Sequence, residues 1–189
     1  MRSRYTATTS SPIPRNLPSE VVVAFIQSYD PVLRHNPGIV SYEEVAADPN
    51  DISDDLFFGP WDNTVRKFRV REVIWLAPGL TKDLVWPMIY QHTPDGIRYR
   101  GDATAGIIGW TQWVVRPRQG NTPPAGFGDL LSTAQNAGDE WELWGESTVE
   151  ANTLLMPFIS NNTKNFVEQI CQGVIDEIVA TPRRVPTSG

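Results

Sequence analysis

Residues 152–181 read NTLLMPFISNNTKNFVEQICQGVIDEIVAT, and this stretch decides the fold. Apolar residues fall at Leu155, Ile159, Phe166, Ile170, Val174 and Ile178, flanked by Leu154, Phe158, Val167, Cys171 and Ile175. Steps of three and four place them on one broad stripe of a helix, with Lys164, Glu168, Gln172, Asp176 and Glu177 mostly opposite. Pro157 suits the first turn of a helix that starts near Leu155, and Pro182 stops it. The spacing predicts Phe166, Ile170 and Val174 as almost fully buried. A lone amphipathic helix must bury its stripe, most simply on the concave face of a curled sheet. Such a pairing commonly leaves a pocket between helix and sheet, so the feature points towards ligand binding.

Working outward from that helix, nothing between Ser41 and Glu150 carries a comparable helical stripe. Residues 2–11 read as a first strand, closed by Pro12 and Pro14. A short helix follows from Ser19 to about Tyr29, broken at Asp30-Pro31, and Val32–Asn36 forms another helical turn. Val40–Ala46 is the second strand, and Asp48–Asn63, with Pro, Gly and five aspartates, is a loop. Lys67–Ala77 and Lys82–His92 are the third and fourth strands, separated by Pro78-Gly79. Thr93-Pro94-Asp95-Gly96 is a turn in which Pro presets φ and Gly is expected to supply a positive φ. Ile97–Ala105 and Gly109–Arg118 are the fifth and sixth strands, with Gly106 and Gly109 bracketing a tight connection. Gln119–Gly138 is a long loop around a Leu130-Leu131 anchor. Glu140–Glu150 is the last strand. Its alternation points Trp141, Leu143, Gly145, Ser147 and Val149 inward and the glutamates outward. The expectation is one α+β domain over residues 1–189, with 182–189 a frayed tail.

Composition narrows the function. The chain has 189 residues, 40% hydrophobic and 20% charged, with a formal net charge of −6. That balance is globular and speaks against a nucleic-acid partner, which usually requires a basic stripe. The basic run from Arg66 to Arg71 alternates like a solvated strand face. Cys171 is the single cysteine and sits on the helix stripe, so it reads as a structural thiol that can form no intrachain disulfide. No apolar run is long enough to span a membrane, and no signal-type segment opens the sequence, so the default location is cytoplasmic. His35 and His92 have no His, Cys or paired carboxylate at ligand spacing, so neither a metal nor a cofactor is expected.

The order of elements (strand, two short helices, about six antiparallel strands, long helix) resembles the helix-grip fold of the START/Bet v 1 (SRPBCC) superfamily. The resemblance runs from Tyr5 to Thr181 and rests on element order. The segments Leu76–Leu80, Gly101–Ile108 and Trp141–Asn152 also look like those of small fungal proteins of that superfamily. The resemblance implies a hydrophobic ligand. It also implies, for relatives that accompany polyketide synthases, an atypical cyclase activity. It carries over no catalytic residue, because the superfamily shares none.

Candidate site residues therefore come from strand faces. Seven tryptophans is high usage; Trp86, Trp110, Trp113 and Trp141 on the strands are expected to wall a pocket or to fill the space under the helix. Glu72 shares a face with Phe68, Val70 and Ile74. A carboxylate held inward there would have a raised pKa suited to proton transfer; the competing placement is outward, paired with an arginine. Leu84, Trp86, Met88, Tyr90 and His92 alternate on one face of the fourth strand, and Tyr99 shares a face with Ile97. Glu72, Tyr90, His92 and Tyr99 are the catalytic candidates. Met88, Phe158 and Arg71 join the tryptophans as substrate-binding candidates, Arg71 as a clamp for a carboxylate or enolate oxygen. Two functions fit. One is a cofactor-free cyclase that folds a polyketide chain, delivered by a synthase, for pyrone lactonisation or aldol closure. The other is a non-catalytic carrier for a lipid, sterol or aromatic metabolite. A homodimer is compatible with either.

Overall fold

The computed structural model describes residues 1–77, 80–103, 106–118 and 141–181, and for 74–77 and 80–82 the backbone alone. The Pro78-Gly79 connection, the Leu130-Leu131 anchor, Pro182 and the expected tail at 182–189 lie outside the described residues.

The elements run β1 (Arg2–Pro12), α1 (Ser19–Ile26), α2 (Asp30–Arg34), β2 (Ile39–Val45), a single 3₁₀ turn (Pro49–Asp51), β3 (Arg66–Ala77), β4 (Leu80–Thr93), β5 (Gly96–Ala103), β6 (Ile107–Pro117), β7 (Trp141–Asn152) and α3 (Met156–Ala180). The seven strands form one antiparallel sheet in the order β1-β7-β6-β5-β4-β3-β2. Six consecutive strands meander, and β1 returns to pair with β7. This is the α+β helix-grip arrangement that the element order predicts.

Helix α3 packs chiefly on β1 and β7. Val167, Ile170, Cys171, Val174, Ile175 and Ile178 are buried along its length. Phe166 departs from expectation: it is only half-buried, because its ring borders a cavity rather than solid core. The short helices close one end of the groove. α1 sits on β5 and β6, and α2 sits on α3 and β2. Their Val22, Ile26, Tyr29, Val32 and Leu33 join Tyr90, Ile97, Trp113, Val115, Leu143 and Val174 in one buried cluster. His35 Nε2, just after α2, lies 2.6 Å from Glu177 of α3 and ties the two helices together. Tyr29, which precedes α2, holds a left-handed φ of 64° that a non-glycine residue adopts only at a cost. Its buried ring between Tyr90 and His92, and its hydroxyl bond to the Thr64 carbonyl at 2.6 Å, hold it there.

On the outer face of the sheet Lys67, Arg69 and Arg71 each meet a carboxylate, of Asp51, Glu43 and Asp83 respectively, and Arg66, at the start of β3, pairs with Glu44. The segment before β3 lies across this face on a small cluster of Ile52, Phe58, Val65 and Ile89. Two turns differ in their chemistry. Gly96 does not take positive φ; it is needed because a Cβ there would stand 1.9 Å from the Trp113 carbonyl oxygen. Gly106 does, at 71°, and makes the tight β5–β6 connection.

Candidate functional site

The inward side chains of the sheet line up in rows because the register is unbroken from β4 to β7. The row Tyr90, Tyr99, Thr111, Ser147 lies next to the row Met88, Gly101, Gly109, Val149. Further along the same face come Trp86, Ala103 and Ile107, and then Leu84 with Glu72. Ala103 and Gly109 carry almost no side chain, so they leave the floor beneath α3 uncovered, while Gly101 makes room for the Trp86 ring. The result is a cavity of about 290 Å³ between the sheet and the N-terminal half of α3. Ile159, Asn162, Thr163, Phe166, Val167 and Ile170 form its roof. From Ile159 to Ile170 that roof runs about 16 Å at ~1.5 Å rise per residue.

Each wall residue has a local reason for its place. The Trp86 indole turns its edge towards Gly101, where a Cβ would approach its Cζ3 to 2.4 Å. A Cβ on Gly109, in contrast, would meet only a Val149 methyl at 3.9 Å. One glycine seats the aromatic wall, and the other leaves open volume. Met88 is buried beside them, 1% exposed, and its sulfur accepts from the Tyr90 hydroxyl at 3.8 Å.

Polar groups gather at two places in this apolar chamber. At one end Glu72 sits between Ile39 of β2 and Leu84 of β4, against Gly38 and the Phe166 ring. Burial pushes its carboxyl above the ordinary glutamate range; the neighbouring Trp86 indole N–H partly offsets the rise. That N–H is itself buried and forms no hydrogen bond of normal geometry. At the other end, under β5–β7, Thr111 Oγ1 donates to Ser147 Oγ at 2.9 Å, and the Tyr99 hydroxyl lies close by. Burial raises the Tyr99 phenol, so it is a neutral donor at physiological pH. Glu72 and this hydroxyl group are separated by roughly six residues of strand, about 20 Å at ~3.3 Å per residue.

Of the sequence-derived candidates, the cavity brings together Glu72, Trp86, Met88 and Tyr99. The others lie elsewhere. Tyr90 is fully buried behind Tyr99, the two rings stacked at 4.7 Å, and belongs to the core. His92 shares its face, but its ring turns towards α1 and Nε2 bonds the Gln27 carbonyl at 2.8 Å. Trp113 is fully buried over Gly145, and Trp141 packs on the same core; neither borders the cavity. Trp110 faces the opposite side of the sheet, where Nε1 donates to Asp55 at 2.9 Å. Asp55 is held below the usual carboxylate range: burial would raise it, but Arg100 and Trp110 outweigh that. Arg71 is also on the outer face, paired with Asp83. Phe158 is 75% exposed in the first turn of α3, immediately before the roof begins. Among the lining residues not named as site candidates from the sequence are Asn36, Gly109, Thr111, Ser147, Asn162 and Thr163. For the strand positions the signal is parity: Gly101, Ala103, Gly109, Thr111 and Ser147 are the small residues of the inward set. Among the described residues no cluster of three or more His, Cys, Asp or Glu could hold a metal, and no helix is long and apolar enough to cross a membrane.

Comparison with known proteins agrees on the fold. A Thermus thermophilus protein, TTHA0849, superposes with a TM-score of 0.59 at 14% identity, over 93% of this chain and 98% of that one. Looser likenesses, each with a TM-score of 0.49, are to two others. The di-domain ARO/CYC StfQ of the steffimycin biosynthetic pathway is 10% identical, over 93% of this chain and 52% of that one. A norcoclaurine synthase point mutant from Thalictrum flavum is 8% identical, over 94% and 98%. The fold assignment rests on the first of the three. No curated protein matches the sequence. The family model described as a domain of unknown function, DUF7053, matches residues 2–180, nearly the full length, and the chain belongs to that family.

Proposed function

We propose that the protein binds a hydrophobic, chain-like small molecule in the sheet–helix cavity and promotes its ring closure as a cofactor-free polyketide cyclase. One observation carries this reading: a single desolvated carboxyl, Glu72, faces a cavity otherwise lined by apolar and neutral polar groups, in which an extended chain must fold. A glutamate with a raised pKa is a competent base near neutrality. Its carboxylate would take a proton from a carbon flanked by two carbonyls, the C–H electron pair moving onto a carbonyl oxygen as an enolate. The enolate then adds to a second carbonyl of the same chain, and the resulting alkoxide recovers the proton from Glu72. No oxidant, reductant or water is consumed. The cavity contributes by confining the chain in a reactive conformer, and Tyr99, Thr111 and Ser147 anchor its far end. A synthase-bound or newly released polyketide is the substrate in this reading.

Glu72→Gln tests it. The variant should keep the fold and ligand-induced quenching of tryptophan fluorescence, and lose turnover by about 10²–10⁴. Full activity in that variant would remove Glu72 from the mechanism. One observation favours the rival function of a carrier: Tyr90 and His92 are engaged in the core, so Glu72 stands without a second acid–base partner. A carrier predicts no turnover in either form and nearly equal affinities.

A further inference from the structure

The charge of the cavity restricts what can enter it. Its described lining contains one ionisable acid, Glu72, and the neutral polar groups of Asn36, Tyr99, Thr111, Ser147, Asn162 and Thr163; it contains no Lys, Arg or His. Among the described residues, Arg71 pairs with Asp83, Arg100 with Asp55 and Asp102, and Arg98 with the Phe57 carbonyl, all on the outer face, and Lys164 of α3 is exposed near Glu168. A buried anion without a cationic partner is strongly disfavoured. A ligand carboxylate would lose its hydration, find only hydroxyl and amide donors, and share the chamber with Glu72. The shape restricts the ligand too. A roof of about 16 Å over a volume of about 290 Å³ holds one small chain-like molecule, with floor residues from β3 to β7 leaving room for it to fold on itself.

We propose that the cavity selects uncharged, linear acyl chains whose carboxyl end is masked as an ester or thioester, and rejects the corresponding free acids. The inference rests on the cavity's being the ligand site, and it deepens the proposed function by naming the substrate class. The buried Trp86 Nε1–H beside Glu72 offers a hydrogen bond to a carbonyl oxygen at one end. The Tyr99, Thr111 and Ser147 hydroxyls receive an oxygen function at the other. Placed in a reaction sequence, the protein acts while the chain is still esterified to its carrier, before any hydrolysis that would release the acid.

The test is a matched pair of probes, methyl decanoate and decanoate, titrated at pH 8 against the full chain and against Glu72→Gln, with tryptophan fluorescence as readout. The ester should bind the wild-type protein at least ~10-fold more tightly than the acid, and the ratio should fall several-fold in Glu72→Gln as one source of repulsion is removed. Gly109→Leu, which fills the chamber, should abolish binding of both probes. Equal or tighter binding of decanoate, an unchanged ratio in Glu72→Gln, or no binding of either probe would overturn the proposal. None of these readouts involves turnover, so loss of the cyclase reading alone would leave the selectivity result standing.

Discussion

Gly109 is the position where stability and ligand binding should move in opposite directions. A Cβ placed there points into open space, with one methyl at 3.9 Å as its nearest neighbour. Gly109→Val adds three carbons to that space. At ~0.8 kcal/mol per buried carbon the gain approaches 2.4 kcal/mol, and replacing glycine in a strand interior adds a further ~0.5–1 kcal/mol. Imperfect packing takes some of this back, which leaves a net stabilisation of about 1–3 kcal/mol. For a chain of this size that is a rise in Tm of ~2–4 °C per kcal/mol. The same carbons occupy ligand volume, so affinity for methyl decanoate should drop at least ~10-fold, a trade-off expected wherever a protein keeps a hole for function. Gly101→Val is the matched control: there a Cβ meets the Trp86 ring at 2.4 Å, so it should destabilise. Urea unfolding and fluorescence titration read both quantities. If Gly109→Val destabilises by more than about 1 kcal/mol, or binds the probe as well as wild type does, the open floor inferred from the strand rows is wrong.

Ile170, 2% exposed at the junction of roof and core, should cost roughly 2–5 kcal/mol when replaced by alanine, as measured by denaturant midpoint. Burial raises Glu72 above its ordinary 4.5 in the folded state, so between the unfolded and folded values the native protein binds more protons and loses stability as pH rises. Glu72→Gln should therefore match wild type near pH ~4 and exceed it in urea midpoint near pH ~8; the opposite ordering would show the carboxylate to be stabilised. Cys171 is fully buried, and burial pushes its thiol up to about 11. It should resist a thiol-specific disulfide reagent at pH ~8 until the protein unfolds.

The fold was legible because two periodicities dominate the sequence. The 3.6-residue stripe of α3 and the alternation of β4 and β7 mark which face is inward, whereas alternation alone left the face of Glu72 on β3 open. The inward sets Phe68–Val70–Glu72, Leu84–Trp86–Met88–Tyr90–His92 and Leu143–Gly145–Ser147–Val149 are found on that face in the structure. The site was less legible, because sharing a face is not the same as reaching a cavity. Tyr90, His92 and Trp113 share it, yet α1 and α2 cover them, and where short helices land depends on tertiary packing that no local pattern records. Trp110 differs in parity from Trp113, and its outward position follows from alternation alone; aromatic content is a weaker guide there than register. The cavity itself is written in missing side chains. Gly109 reads locally as half of a tight turn, and only the alignment of four strands turns it, with Ala103, into an uncovered floor. Phe166 fits the helix stripe as core, and it is half-buried for the same reason.

The central claim, that a desolvated Glu72 faces the ligand chamber, is most directly tested by following the ¹³C resonance of its carboxyl group through a pH titration, with and without methyl decanoate. The midpoint should lie above the ordinary glutamate range in the free protein, and the resonance should be displaced on ligand binding. A midpoint at the ordinary value, unmoved by a ligand that demonstrably binds, would contradict that claim.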